Sequence, residues 1–201
     1  MRRTNKVGDV MRVIAGEFKG RPLKAVPGKK TRPTTDKVKE ALFHRIGPYF
    51  DGGDALDLFA GSGGLGIEAL SRGMDHVVFV DQQGQAIKTI QDNVKTFSLS
   101  DRCDIFRQDA FRAIKAAHKQ GRQFDMIFLD PPYGQVSFDK LLAALRDYNV
   151  LRDDALIICE HPPEETLQED IQGYEYVRTN TYSQTIAVTT YRYKNQEEDY
   201  V

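Results

Sequence analysis

The sequence DLFAGSGGLG, residues 57–66, decides the fold. It begins inside a mostly apolar run over Ala55–Phe59, which predicts a buried strand, and it leads into a helix predicted over Leu65–Arg72. Glycines in the connection permit backbone conformations closed to other residues and let a ligand approach the main chain. A strand, a glycine-rich loop and a helix in this order open an α/β fold and give it a candidate ligand site at the first turn.

The alternation of strand and helix continues toward residue 160. Further strands are predicted over Val77–Val80, Asp104–Phe106, Phe124–Leu129 and Leu156–Cys159. The helices between them are predicted over Gln85–Phe97, Phe111–Gln120 and Phe138–Tyr148. Near-continuous apolar strands separated by amphipathic helices indicate a parallel sheet covered on both faces. The ending differs, because Tyr174–Thr181 and Thr185–Tyr193 are strand-like with almost no room between them, which predicts an antiparallel hairpin.

The segment before the sheet has a different pattern. Met11–Gly16 and Arg21–Leu23 predict two short strands, and a helix is predicted to start at Thr35 or Asp36 and end near Ile46. The predicted organisation is a disordered tail or start-site extension over 1–10, a basic arm of a β-hairpin plus a helix over 11–52, the α/β domain over 53–195, and an acidic tail over 196–201.

Composition excludes several classes of protein. The chain has 201 residues, of which 40% are hydrophobic and 28% charged, so a wholly disordered protein is excluded. No stretch approaches 18 apolar residues, and no apolar segment follows the basic N-terminus, so neither a transmembrane span nor a secretory signal is expected. Cys103 and Cys159 are too few for a disulfide framework, and the four histidines lack ligand spacing, so we expect reduced thiols, no metal and a cytoplasmic location.

Charge is distributed unevenly along the chain. Residues 1–45 hold 13 Lys and Arg against 4 Asp and Glu, whereas the remainder has a net charge of −10. A basic arm on an acidic body predicts a polyanionic partner, although a solvated charged face would have the same composition. The candidate RNA-binding residues are Arg12, Lys19, Arg21, Lys24, Lys29 and Lys30.

An aspartate lies at or just past the end of four predicted strands. These residues are Asp57, Asp81, Asp109 and Asp130. In such folds the ligand lies beyond the carboxyl ends of the strands, so the four side chains are expected to face one site. A single aspartate at such a position could instead cap the following helix.

The charge of this rim distinguishes between two ligands. Gly61, Gly63 and Gly66 satisfy GxGxxG, and Asp81 lies 20 residues after Gly61, which together form a dinucleotide fingerprint. The pyrophosphate of NAD would face several carboxylates, however. S-adenosylmethionine carries a sulfonium and an ammonium group, and its ribose diol could bind Asp81, so the rim favours that cofactor.

The most specific motif is IFLDPPY at Ile127–Tyr133. Two prolines directly after a buried strand lack N–H donors and force the chain out of the sheet, which turns their carbonyls toward the cleft. Asp130 and the carbonyl of Pro131 or Pro132 can accept both hydrogens of an exocyclic amine, and Tyr133 can stack on the base that carries it. A strand-terminating turn with a packing tyrosine is the structural alternative.

The motif suggests how an unreactive amine becomes a nucleophile. The lone pair of an aromatic exocyclic amine is delocalised into the ring. Two acceptors that hold its hydrogens favour a pyramidal nitrogen and aim the lone pair at the methyl carbon, so geometry and electrostatics supply most of the rate. Asp130 could also take the released proton, directly or through water.

The chain resembles the RsmD-type bacterial 16S rRNA guanine-N2 methyltransferases. Three blocks carry the resemblance: MRVIAG with GRPL at residues 11–23, RPTTDKVKEALF at residues 32–43, and the glycine loop with Asp130–Tyr133. The last block is general to amino-methyltransferases, whereas residues 32–43 point to this family. Residues 1–10 depart from the pattern, because family members typically begin at the equivalent of Met11.

The resemblance implies a class I, Rossmann-like methyltransferase fold with seven strands, the last of them inserted antiparallel. It implies S-adenosylmethionine as cofactor, and a guanine of 16S rRNA or of a small-subunit particle as substrate. We separately expect the protein to be a monomer. The implied catalytic residues are Asp130, Pro131, Pro132 and Tyr133. The implied cofactor-binding residues are Arg32, Thr34, Asp57, Phe59, Ala60, Gly61, Ser62, Gly63, Gly66, Asp81, Gln82, Asp109 and Ala110.

Other functions remain open at this level. The same Asp-Pro-Pro-Tyr geometry would serve an enzyme acting on adenine N6 in nucleic acid or on glutamine in protein. A DNA enzyme usually carries a target-recognition domain for which 201 residues leave no room, and a protein-glutamine enzyme would not need the basic arm. A non-catalytic rRNA-binding factor would be expected to have a decayed amine motif, and a nicotinamide oxidoreductase would need a hydride-transfer site.

Overall fold

A seven-stranded sheet organises the chain. The computed structural model describes residues 11–28 and 36–195. The strands are β1 Asp54–Asp57, β2 His76–Asp81, β3 Cys103–Arg107, β4 Phe124–Leu129, β5 Leu151–His161, β6 Tyr174–Thr181 and β7 Ala187–Tyr193. The helices are α1 Asp36–Ile46, α2 Gly64–Ser71, α3 Gly84–Thr96, α4 Ala110–Lys119 and α5 Phe138–Asp147, with a 3-10 turn at Ser100–Arg102.

The strand order is β3-β2-β1-β4-β5-β7-β6. The first five strands run parallel, and β7 lies antiparallel between β5 and β6. The class I methyltransferase topology implied by the resemblance is therefore confirmed. The order reverses between β1 and β4, so the carboxyl ends of these neighbouring strands flank the crevice in which ligands of such sheets bind.

Two hydrophobic layers bury the sheet. Helices α2 and α3 cover one face, where Ile67, Phe79 and Phe128 are fully buried. Helices α4 and α5 cover the other, where Leu56 and Leu142 are buried. Each fully buried aliphatic or aromatic side chain stabilises the fold by about 1.5–3 kcal/mol, which explains why the central strands are almost continuously apolar.

Strand β5 is longer than its prediction. The apolar pattern marks only Leu156–Cys159, whereas the strand runs over Leu151–His161. Its first half contains Arg152, Asp153 and Asp154, which are exposed, and a register shift against β4 separates the two halves. Periodicity misses this half because its pairing is not accompanied by burial on both faces.

The segment over residues 11–28 packs against the domain. The two predicted short strands are reduced to one antiparallel bridge, Arg12 to Pro22, flanked by a hydrogen bond from the amide of Leu23 to the carbonyl of Met11 at 2.7 Å. Val13 and Phe18 are buried in the same core layer as α2 and α3, so this segment shares the core of the domain. The predictions for residues 1–10 and 196–201, and for Lys29, Lys30, Arg32 and Thr34, lie outside the described residues.

Within the described ranges, no helix has the length and apolar character needed to cross a membrane.

Candidate active site

A cleft of about 710 Å³ opens at the carboxyl ends of β1, β4 and β5. It brings together two motifs that are far apart in the sequence, the glycine loop and the Asp-Pro-Pro-Tyr turn. The residues from these motifs that line it are Asp57, Phe59, Ala60, Gly61, Ser62, Asp130, Pro131, Pro132 and Tyr133. The sequence predicted this convergence, because neighbouring parallel strands end at the same edge of the sheet.

The glycines of the loop have different physical roles. Gly61 has φ +55°, and a Cβ placed there would meet nothing closer than the carbonyl of Phe59 at 4.0 Å, so the main chain lies open beside the cleft. Gly63 has φ +80° and caps α2. At Gly66 a Cβ would lie 2.3 Å from the ring of Phe79. Gly66 therefore lets α2 pack closely on β2.

Asp57 is a buried carboxyl group at the floor of the cleft. Its side chain accepts hydrogen bonds from the backbone amides of Phe59 and Gly66, which hold the glycine loop around it. Burial and the negative charges of Asp130 and Asp81 raise its pKa to about 8. A cation entering this site would offset the like charges of Asp130 and Asp81 and favour the ionised form of Asp57.

Asp81 joins the first two loops of the sheet. One oxygen accepts from the amide of Gly61 at 2.9 Å, and the other accepts from the amide of Gln83 at 2.8 Å. The side chain is largely buried at the end of β2, and Gln83 lines the cleft. A carboxylate has about four lone-pair directions, so these two bonds leave acceptor capacity for a ligand diol.

Asp109 is a helix cap. Its Oδ1 accepts from the amides of Phe111 and Arg112 at 3.0 and 3.2 Å, and its Oδ2 accepts from the side chain of Gln82 at 3.0 Å. Asp109 therefore caps α4 and connects Gln82 to the start of that helix, and its contact with the cofactor stays a prediction. Among the residues that the structure describes, the predicted cofactor residues that do not line the cleft are Gly63, Gly66, Asp81, Gln82, Asp109 and Ala110.

The Asp-Pro-Pro-Tyr turn leaves β4 as predicted. Pro131 is buried, and the carbonyl of Pro132 accepts from the amide of Gln135 at 3.1 Å. That bond closes the turn and favours the carbonyl of Pro131 as the free acceptor for an amine. Tyr133 is 53% exposed at the mouth of the cleft, where its hydroxyl donates to the carbonyl of Thr185 at 3.4 Å.

The environment of Tyr133 keeps its hydroxyl protonated. Burial, followed by the charges of Glu160, Asp130 and Glu164, raises the pKa of Tyr133 to about 12. The tyrosine is therefore a neutral aromatic surface at neutral pH, suited to stacking on a base rather than to taking a proton.

Several residues that line the cleft were missed in the sequence. They are Met11, Ala25, Val26, Lys39, Gly64, Leu65, Gln83, Gln135, Glu160, Thr185 and Ile186. Glu160 follows the predicted fifth strand in the same way as the four aspartates follow theirs, so the same rule would have found it. Thr185 and Ile186 come from the β6–β7 turn, which no periodicity places beside β4.

A buried charge network holds the N-terminal segment over the cleft. Glu68 on α2 is fully buried and accepts hydrogen bonds from the amides of Ile14 and Ala15 at 2.8 and 3.0 Å. It also pairs with Lys39 at 3.2 Å and Arg72 at 2.8 Å. Burial lowers the pKa of Lys39, against the opposing effect of Glu68. The network therefore connects α2 to α1 and to the N-terminal segment at Ile14 and Ala15.

The candidate RNA-binding residues that the structure describes lie on the outer surface of the N-terminal segment, residues 11–28. Arg12 pairs with Asp36 at 2.6 Å, and Lys24 pairs with Asp92 at 3.1 Å. Arg21 stacks over Phe97 at 4.4 Å, and Lys19 is exposed. Such exposed pairs are weak, so these cations can exchange their partners for phosphate groups.

Neither Cys103 nor Cys159 is among the residues that line this cleft. Burial raises the pKa of both thiols, that of Cys103 to about 12, so neither is a nucleophile at neutral pH. Over residues 11–28 and 36–195, no group of three or more His, Cys, Asp and Glu is arranged to hold a metal ion.

Comparison with known proteins gives consistent relatives. A family model described as "Conserved hypothetical protein 95" matches residues 11–192. A Bacillus subtilis protein named "Putative rRNA methyltransferase YlbH" is 53% identical over 175 residues, covering 87% of this chain and 95% of that protein. "Ribosomal RNA small subunit methyltransferase D" of Haemophilus influenzae is 36% identical over 157 residues, covering 78% of this chain and 80% of the relative.

Solved structures show the same fold. An Escherichia coli structure named "Putative methyltransferase yhhF" superposes with a TM-score of 0.78 at 31% identity, covering 93% of this chain and 99% of that one. A methyltransferase structure complexed with SAH has a TM-score of 0.64 at 17% identity, and covers 78% of this chain and 48% of that one, a likeness in fold alone. The family model and the relatives at 53% and 36% identity show that the chain belongs to the Conserved hypothetical protein 95 family, the RsmD-type methyltransferases.

Proposed function

We propose that this protein, acting as a monomer, transfers a methyl group from S-adenosylmethionine to the N2 amine of a guanine in 16S rRNA of the small ribosomal subunit. The observation that carries the proposal is the placement of Asp130–Tyr133 in one cleft with Asp57 and the open main chain at Gly61. The relatives named as rRNA methyltransferases support RNA as the substrate.

The cleft fits a cationic cofactor. Its floor carries Asp57, whose pKa is raised to about 8 by burial and by two neighbouring carboxylates, so a sulfonium or ammonium group would relieve a charge strain that an anionic pyrophosphate would increase. Gly61 leaves space for a ligand against the backbone. S-adenosylmethionine, when bound, supplies an electrophilic methyl group to the acceptor.

The protein side of the reaction is positioning. Asp130 and the carbonyl of Pro131 hold the two amine hydrogens, so the nitrogen lone pair is directed toward the methionine side of the cleft, lined by Asp57 and Gly61. Tyr133 stacks on the base and fixes its plane. Asp130 accepts the proton that the amine loses after methylation, directly or through one water molecule.

The N-terminal segment covers the cofactor end of the cleft. Met11, Ala25 and Val26 line the cleft together with Gly64 and Leu65 from the start of α2. Met11, Val26 and Leu65 have large apolar side chains, so they exclude water from the methionine part of the cofactor site. The buried Glu68 network fixes this cover, and the exposed cations of the same segment face outward toward RNA.

A direct test is methyl transfer in vitro. Small ribosomal subunits from cells lacking this gene are incubated with the purified protein and methyl-labelled S-adenosylmethionine, and the rRNA is digested to nucleosides. We expect all label in N2-methylguanosine, at one rRNA position, with none after Asp130→Ala. Label in N6-methyladenosine or in a protein glutamine would replace the guanine assignment with the corresponding alternative.

A further inference from the structure

Glu160 is a buried carboxylate in the part of the cleft that the Asp-Pro-Pro-Tyr turn lines. It is 7% exposed, lies one residue before the end of β5, and lines the cleft together with Asp130 and Tyr133. It follows the predicted fifth strand, as the four aspartates follow theirs, but it is not part of the Asp-Pro-Pro-Tyr motif.

The strand register places Glu160 beside Asp130. Leu129 of β4 pairs with Cys159 of β5 in a parallel ladder, so the next residues along each strand, Asp130 and Glu160, are neighbours. Adjacent strands lie about 4.8 Å apart. Phe128 and Ile158, two residues earlier, share one core layer, and side chains alternate along a strand. Asp130 and Glu160 therefore project from the same face of the sheet into the cleft.

The edge of guanine that carries the amine to be methylated has two adjacent hydrogen-bond donors. Its N2 amine lies next to an N1–H, whereas in adenine the N6 amine lies next to N1, which is an acceptor. Asp130 and the Pro131 carbonyl account for the amine in either base. A second carboxylate beside Asp130 matches the N1–H of guanine and repels the N1 lone pair of adenine.

We propose that Glu160 is the residue that selects guanine, by accepting a hydrogen bond from N1–H while Asp130 and Pro131 hold the neighbouring N2 amine. This inference rests on the proposed function and names the group that reads the base. After burial, the negative charge of Glu160 contributes most to the raised pKa of Tyr133. The ring that stacks on the base and the carboxylate therefore border the same space. Selectivity thus arises from both a match to guanine and a mismatch to adenine.

The test compares two bases at the same position. Small subunits are reconstituted from ligated rRNA that carries either guanosine or 2-aminopurine riboside at the mapped target. The analogue keeps the exocyclic amine but has an N1 acceptor in place of N1–H, and it lacks O6. For the wild-type protein we expect kcat/KM to be at least 100-fold higher on guanosine. In the analogue, the N1 acceptor would face the carboxylate of Glu160, which is also an acceptor.

Variants assign that preference to Glu160. The amide of Glu160→Gln offers a donor as well as an acceptor, so we expect the guanosine preference to fall at least tenfold. Glu160→Asp keeps the carboxylate and should retain the preference at a lower rate. Glu164→Gln is the matched control, because Glu164 also raises the pKa of Tyr133 but is exposed and does not line the cleft. It should leave the preference unchanged.

The preference is a ratio within one enzyme, so it does not depend on the fraction of protein that is folded. An unchanged ratio in Glu160→Gln would overturn the proposal. A wild-type ratio near one would also overturn it, without reference to any variant. A wild-type protein that methylates neither base would instead remove the proposed function, and the proposal with it.

Discussion

The carboxylate of Asp81 accepts a hydrogen bond from the backbone amide of Gly61 at 2.9 Å. Its second oxygen accepts from the amide of Gln83 at 2.8 Å, so one side chain fixes the loops after β1 and β2 relative to each other. The two loops border the cleft from different strands. The ligand-facing backbone at Gly61 is therefore held in place by a side chain that is itself a candidate ligand.

Asp81→Ala should weaken S-adenosylmethionine binding. The change should remove the expected charge-assisted bond to the ribose, worth about 1.5–3 kcal/mol or about a 10- to 150-fold rise in Kd, and it also frees the Gly61 amide. Isothermal calorimetry measures the effect. Asp92→Ala, which removes an exposed partner of Lys24, is the control and should bind as the wild type does. Tight NADH binding with no S-adenosylmethionine binding would reject the cofactor assignment.

Cofactor binding at pH 7 should release a proton from Asp57. Its pKa of about 8 means that the free protein holds this carboxyl mostly protonated, and a bound cation favours the charged form. The observed binding enthalpy should then differ between phosphate and Tris buffers, and affinity should rise from pH 6 to pH 8. Asp57→Asn should abolish the buffer dependence. Equal enthalpies in both buffers for the wild type would contradict this account.

The same shift has a consequence for stability. The folded pKa of Asp57 lies above its ordinary value of 3.8, so the folded state holds the proton more tightly. Its contribution to stability is complete below about pH 4 and is lost as the pH rises through 8. Urea titrations of the cofactor-free protein should show a greater loss of stability between pH 7 and pH 9 in the wild type than in Asp57→Asn.

Sequence alone predicts the elements of this fold better than their arrangement. Alternating apolar strands and amphipathic helices identified the parallel part of the sheet, because burial on both faces leaves a continuous apolar run. The insertion of β7 between β5 and β6 came from the family resemblance, since periodicity does not say which strands are neighbours. The exposed residues Arg152–Asp154 concealed half of β5 for the same local reason.

The residues of the candidate site were likewise predictable only in part from the sequence. Asp57 and Asp130 were predictable, because the ends of parallel strands meet at one edge of the sheet. Asp109 caps α4, and a sequence pattern does not distinguish a capping aspartate from one that also contacts a ligand. Lys39 and Glu68 look like solvent-facing charges on helices, and only the three-dimensional packing of α1 and α2 brings them together inside the protein.

Glu68→Ala should destabilise the protein by about 3–5 kcal/mol, because it leaves Lys39 and Arg72 buried without their carboxylate and two backbone amides without their acceptor. Urea denaturation followed by circular dichroism gives the free energy of unfolding. Asp92→Ala removes an exposed ion pair and should change it by less than about 1 kcal/mol. Equal effects of the two substitutions would show that the buried network does not fasten the N-terminal segment.

Binding of the small subunit's rRNA should depend steeply on salt. If about five cations of the N-terminal segment meet phosphates, the log–log slope is about −3.5, and affinity falls about a hundredfold between 50 and 200 mM salt. Replacing Lys24, Lys29 and Lys30 with alanine should flatten the slope while cofactor binding persists, and deleting residues 1–10 should matter much less. Filter-binding titrations across salt concentrations measure the slope. An unchanged slope in the triple variant would reject phosphate binding by these three lysines.

Mass spectrometry of rRNA nucleosides from living cells tests the central claim most directly. Cells lacking the gene should lose one N2-methylguanosine from 16S rRNA, and the wild-type gene should restore it. The Asp130→Ala gene should not, because removing one preorganised polar group from the amine site should slow transfer by about 10²-fold or more while cofactor affinity stays within a few fold. Unchanged N2-methylguanosine in the deletion strain, or full restoration by Asp130→Ala, would contradict the account.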